Sequence, residues 1–432
     1  AGSPDALPND FTLAYSARHG CWIRPAPDVD RRTSAAIATP DPQAMRTRIV
    51  LPDVWGVGRC LRNATTDVVT ATAQKVWNVQ VRPRLLDARV PTKWTSLQSI
   101  SSVLPSHFRG LHEGDDLTVA LMYGQNDPLV STQQFYTAHE RAALAQRYHD
   151  EMIGLWKVVQ PSLPHDDQPL FALVPRTLNV DGWTGDDLAP SPERVRPLIE
   201  TSAQRVQAAA GETPYERHNR LALYTALGLA IATGFRAVRT PIADLAAIHR
   251  ESATLCLQEK DRADGSHARL VVLPEAVLEQ VEIYLRHARA IYAQLPLSHP
   301  TTLELRATKH RDRRRTEPET GRFTIDLRRT LYFWERKGRK WAAVELTGER
   351  LRAHCHAIAD PACWPVANAG RHLLRTELER QRCPATLANA ALGHWSQGEE
   401  PWVAASAMDP LLYRETIRPY LEGLLRRVGY QP

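Results

Sequence analysis

The sequence predicts a mainly α-helical protein with a small β-hairpin or sheet, its chemistry gathered in the C-terminal half. Three observations predict it. Residues 213–233 read as a capped, almost wholly apolar helix. Residues 255–274 hold two β-rich runs joined by a turn-rich loop. In 139–156, 195–206 and 277–291 the apolar residues recur mostly at spacings of three and four.

The 432 residues are enough for two or three domains, each with its own core. A hydrophobic share of 43% and a charged share of 24% exclude a disordered chain. A net charge of +6 attracts polyanions without specifying one. The six cysteines are scattered, with no C-x-x-C pair. Cys355 and Cys363 lie near His354 and His356, but the spacing matches no structural zinc pattern, so buried or idle thiols and no metal are expected. There is no basic segment leading into an apolar one at the start, and no long apolar run later. The expectation is a cytoplasmic, reduced protein that spans no membrane.

Residues 1–175 are expected to form an N-terminal region that is partly helical. Within it, 46–54 and 117–123 read equally as short strands or buried helix ends. Residues 67–81, with Trp77 and the cations Lys75, Arg82 and Arg84 beside it, suit a phosphate backbone or, more commonly, a solvated face next to a core tryptophan. From Ser131 the pattern is helical, through Phe135, His139 and Ala142 to Trp156. Pro161, Pro164, Pro169, Pro175, Pro190 and Pro192 then break it, which sets the boundary of a second domain, 176–432.

That domain opens with Ser191-Pro192-Glu193, an N-cap with proline at the first helical position, and Gly211 is expected to end the helix. Thr213-Pro214-Tyr215-Glu216 spells a capping box. The helix it opens stops at Thr233-Gly234, and Arg236 follows. An arginine held there either caps the last carbonyls or grips an anion at little entropic cost. A helix over 275–295 leads to the basic run with Lys309, Arg311, Arg313, Arg314 and Arg315, which suits phosphates or a solvated loop about equally. Residues 323–344 read as strands or short helices, an elaboration. His372 and Arg375, three apart, share a helix face. His394 follows Gly393, and Tyr413 falls in the first turn of a helix opening at Asp409-Pro410.

Read together, A-T-G-F-R around Arg236, H-L-L-R at His372 to Arg375, L-G-H-W around His394 and the late Tyr413 resemble the boxes of the tyrosine recombinases, the phage integrase family. The resemblance covers 191 to the C-terminus. It implies a catalytic domain preceded by an N-terminal DNA-binding region. It also implies strand cleavage and rejoining through a 3′-phosphotyrosyl link, without metal, ATP or other cofactor, on double-stranded DNA with a specific site. A tetramer on DNA and a mobile genetic element belong to the same expectation. In those roles Arg236 and Arg375 neutralise the phosphate, and His394 donates to its oxygens. His372 accepts the proton of the Tyr413 nucleophile, and Lys260, at a strand end, protonates the leaving 5′ oxygen. The segment beyond Tyr413, with Leu421, Leu424 and Leu425, either docks on a neighbouring protomer or packs in its own.

Three positions depart from the pattern. Arg239 stands where the family usually has an acid, Tyr413 comes nineteen positions after His394, a longer gap than in most relatives, and Tyr420 is a second candidate nucleophile. They keep two other readings open: a DNA-binding protein that no longer cuts, and a type IB topoisomerase-like enzyme.

Overall fold

The computed structural model describes residues 14–16, 21–25, 48–52, 78, 82–87, 96–111, 116–123, 133, 135–162, 182–208, 212–238, 241–242, 244–259, 268–294, 302–306, 322–395, 400–402 and 406–432. Most of these residues are helical, and the sheets are small and antiparallel. The chain divides into two compact units, one of Ala1–Asp187 with Pro384–Thr386 and one of Leu188–Cys383 with Leu387–Pro432.

In the first unit β1 (Ala14–Ser16), β2 (Cys21–Pro25) and β3 (Arg48–Pro52) form an antiparallel sheet. Alternation along β2 buries Cys21 and Ile23. The helices are α1 (Arg82–Asp87), α2 (Leu97–Leu111), α3 (Asp116–Tyr123) and α4 (Arg141–Val159). Residues 117–123 therefore resolve as helix and 48–52 as strand. Ile49 and Leu51 of β3 pack on Leu117, Leu121 and Leu144. Arg24 donates to the carbonyls of Ala120 and Leu121, and burial lowers its pKa to about 10.

The helical pattern read from Ser131 begins ten residues later than its spacing suggests. Ala138–Glu140 is a strand, β4, paired with β5 (Trp183–Gly185). That pairing holds 138–140 extended, and α4 starts only at Arg141.

The second unit is built around α6 (Pro214–Thr233), which packs against α5 (Pro192–Gln207), α7 (Glu275–Gln294) and α9 (Ala369–Arg380). Ser191 caps α5, and Thr213 with Glu216 makes the expected box on α6. The first of these helices ends at Gln207, short of Gly211. Every residue of α6 from Leu221 to Thr233 is buried, so this helix has no solvent side over that length. Two hairpins flank it, β6 (Thr254–Leu257) with β7 (Arg269–Val272), and β10 (Tyr332–Lys337) with β11 (Lys340–Glu345). A further pair, β8 (Thr302–Arg306) with β9 (Arg322–Asp326), makes the 323–344 elaboration β-structure. The rest is α8 (Gly348–His356), α10 (Ala385–Leu392) and α11 (Pro410–Arg427). Leu421, Leu424 and Leu425 of α11 are buried in this unit's own core. Cys355, Cys363 and Cys383 are buried free thiols, the last pushed up to about 12 by burial. Among the described residues no helix is long and apolar enough to cross a membrane.

Candidate active site

The site assembles where α6, α9 and α10 end or begin against β7. Gly234 closes α6 in the left-handed region, φ 53 and ψ 40. A Cβ there would also lie 3.0 Å from the Leu374 and Leu392 side chains, so glycine answers both needs. Arg236 comes two residues on, part-exposed, and its backbone N–H donates to Glu259 Oε1 at 2.5 Å.

Arg269 enters from β7, and only about 2% of it is exposed. It donates to the carbonyls of Thr233 and Ala391, both at 2.6 Å, and pairs with Glu259 Oε2 at 3.0 Å. From α9, Arg371 donates to Gly234 O at 3.1 Å and to the Leu392 carbonyl. These two side chains thus tie together the C-terminal ends of α6 and α10, where unsatisfied carbonyls and the helix dipoles favour cations.

His394 sits in the middle. Helix α10 ends on Gly393, and the His394 N–H reaches back to Asn389 O at 2.9 Å. Its Nε2 lies 2.8 Å from an Arg371 Nη2. Guanidinium nitrogens only donate, so Nε2 accepts and the neutral ring carries its proton on Nδ1. Burial, and then the charges of Arg371, Arg375, Arg236 and Arg269, hold His394 well below the usual histidine range. Four guanidiniums therefore act on one neutral imidazole.

Of the residues expected from sequence, Arg236, Arg375 and His394 are brought together. Arg375 donates to Asn389 Oδ1 at 2.8 Å, and His372 is wholly buried on the same helix. Tyr413 does fall in the first turn of α11, after the Asp409 cap and Pro410, but its side chain lies in the core. Its hydroxyl donates to Leu270 O on β7 at 3.1 Å, and its ring meets Trp402 edge to face. Burial outweighs the nearby Arg269 charge and holds the phenol above its ordinary pKa. Tyr420 is part-buried further along α11. Lys260, Arg239 and the run Lys309, Arg311, Arg313, Arg314 and Arg315 lie outside the described residues.

Sequence reasoning missed Arg269, Arg371 and Glu259. Arg371 directly precedes His372 in N-A-G-R-H-L-L-R, so the box holds two arginines, and the one that reaches His394 is the earlier. The glycine before it, Gly370, was the one local signal, and in the structure a Cβ there would sit 2.6 Å from Ala230 O.

No family model and no curated protein matches the chain. Among solved structures it is similar to the crystal structure of XerA recombinase, at 12% identity and a TM-score of 0.29, over 76% of this chain and 97% of that one. At that level of likeness the site has to be read from its own residues.

Proposed function

We propose that the protein is a DNA strand-transfer enzyme of the tyrosine-recombinase kind, cutting and rejoining a specific duplex site without metal or ATP. The observation that carries this reading is the convergence of Arg236, Arg269, Arg371 and Arg375 on neutral His394. A phosphodiester gains charge on its non-bridging oxygens when an oxygen attacks, and preorganised guanidiniums and an imidazole N–H meet that charge where it develops. In this reading Tyr413 Oη bonds to phosphorus while the bond to the 5′ oxygen breaks. His372 takes the phenolic proton and Lys260 gives one to the leaving oxygen. Tyr413 must leave its bond to Leu270 for this, so the start of α11 moves before cleavage.

A second reading is favoured by the burial of that same tyrosine: a DNA-binding protein on this scaffold that does not cut. A nicked suicide duplex separates the two. The recombinase reading expects a covalent adduct that survives denaturation, disappears in Tyr413→Phe, and falls by about 10²-fold or more in Arg371→Gln. Tight duplex binding with no adduct establishes the second reading, and an adduct lost only in Tyr420→Phe moves the nucleophile to Tyr420.

A further inference from the structure

We propose that the tip of the β10–β11 hairpin is a preformed prong for the phosphates of duplex DNA. The inference rests on the reading that the chain acts on DNA. Its basis is the sequence Arg336-Lys337-Gly338-Arg339-Lys340, four exposed cations in five residues.

The base of the hairpin is wedged between two apolar clusters. Phe333 and Val344 face the main core of their unit. Tyr332 and Trp334 face the other way, toward Tyr215 and Trp341, whose rings stack at 5.0 Å. Asn219 holds the Trp334 backbone at both its N–H and its carbonyl, each at 2.7 Å. Beyond Trp341 the apolar pattern stops. Lys337 pairs with Lys340 across a two-residue turn, with Gly338 at φ 63 in its first central position. A rigid stem therefore presents an end of four exposed cations.

Several other surface arginines of the same unit are neutralised by acids. Arg328 pairs with Asp326, Arg329 with Asp244, Arg352 with Glu349 and Arg250 with Glu282. Glu335, next to the tip, is taken by Arg350. Glu216 feels the Arg336 charge, but its carboxylate is spent on the Thr213 cap. Arg336 donates its Nε to the Gly338 carbonyl at 3.1 Å, and among the described residues no ion pair reaches Arg336, Lys337, Arg339 or Lys340. Like charges directly opposite each other across a ladder oppose pairing, so Lys337 and Lys340 sit at a cost to the hairpin. A polyanion laid across the tip reverses the sign of that term. Duplex phosphates suit it because each contact releases a condensed counterion, whatever the base sequence.

That independence of sequence makes the test possible without the target site. A labelled random duplex is titrated with full-length protein over about 50 to 200 mM salt. Compared are wild type, the hairpin pair Lys337→Gln with Lys340→Gln, and a helix pair of exposed arginines on α7, Arg286→Gln with Arg289→Gln. The hairpin pair is expected to lower the slope of log K against log salt by up to about 1.8, with the helix pair near wild type. An unchanged slope and affinity in the hairpin pair, with normal thermal unfolding, overturns the prong while leaving DNA binding intact. So does an equal loss in the helix pair. A wild type that binds no duplex even at low salt overturns the DNA reading itself, and the prong with it.

Discussion

Glu259 carries more than its one charge suggests. It is an acid among arginines, accepting the Arg236 N–H and the Arg269 guanidinium, with only about 3% of its side chain exposed. Burial works to raise its carboxyl, but the charges of Arg269 and Arg371 and the Arg236 N–H win and hold it below the usual range. Breaking a buried pair by neutralising one member leaves the other charge uncompensated, at about 3 to 5 kcal/mol. Glu259→Gln is therefore expected to destabilise the protein by about 3 kcal/mol in urea titration. Adding Arg269→Met should recover part of that loss, because the orphaned charge goes too. If Glu259→Gln is neutral, the pair is not what holds Arg236 in place. Nothing local marks Glu259 or Arg269 as partners, since both depend on the hairpin bringing positions 259 and 269 to the ends of two helices. Arg236 and His394 were readable because each follows a glycine at a helix end, a signal that lies within a few residues.

The same contrast holds for whole elements. Both N-caps, at Ser191 and Thr213, and the α11 start at Asp409-Pro410 formed as spelled, because a cap is decided within one turn. Where the outcome hung on pairing, sequence fell short: β4 interrupts a helical pattern where Trp183–Gly185 comes back to meet it. The crossing of α6 and α9 is another long-range fact, fixed at Gly370. A Cβ there would stand 2.6 Å from Ala230 O and 2.8 Å from its carbonyl carbon, and backbone cannot swing aside as a side chain can. Gly370→Ala is expected to cost about 1 to 3 kcal/mol by overpacking and to push Arg371 away from Gly234. The variant should show a lower urea midpoint and weaker duplex binding at unchanged bulk helicity. A wild-type midpoint would mean that the two helices can separate freely.

At the scale of the molecule, the buried imidazoles set how the protein meets acid. His218 lies under Tyr284, Tyr332 and Trp334, wholly buried, and burial followed by the His287 charge lowers its pKa to about 3. His394 is lowered by burial and then by the four arginines. An unfolded chain restores both to about 6.5. As pH falls below that value, the unfolded chain binds protons that the native one refuses, so stability falls with falling pH and is complete above it. The carboxylates held low, among them Glu259 and Asp326, lose their contribution only below about 4.5, when the unfolded chain's own acids protonate. Between about pH 6.5 and 4.5 the histidines therefore act without them. Each can contribute up to about 1.4 kcal/mol per pH unit, or about 2.7 for the two. His218→Gln keeps a side chain able to donate to Tyr332 O and removes one titration, so its urea midpoint should fall less steeply over that window than wild type. A wild-type midpoint that stays level from pH 6.5 to 4.5 would mean that both rings already accept protons in the folded protein, and would remove the ground for a neutral His394 among the arginines.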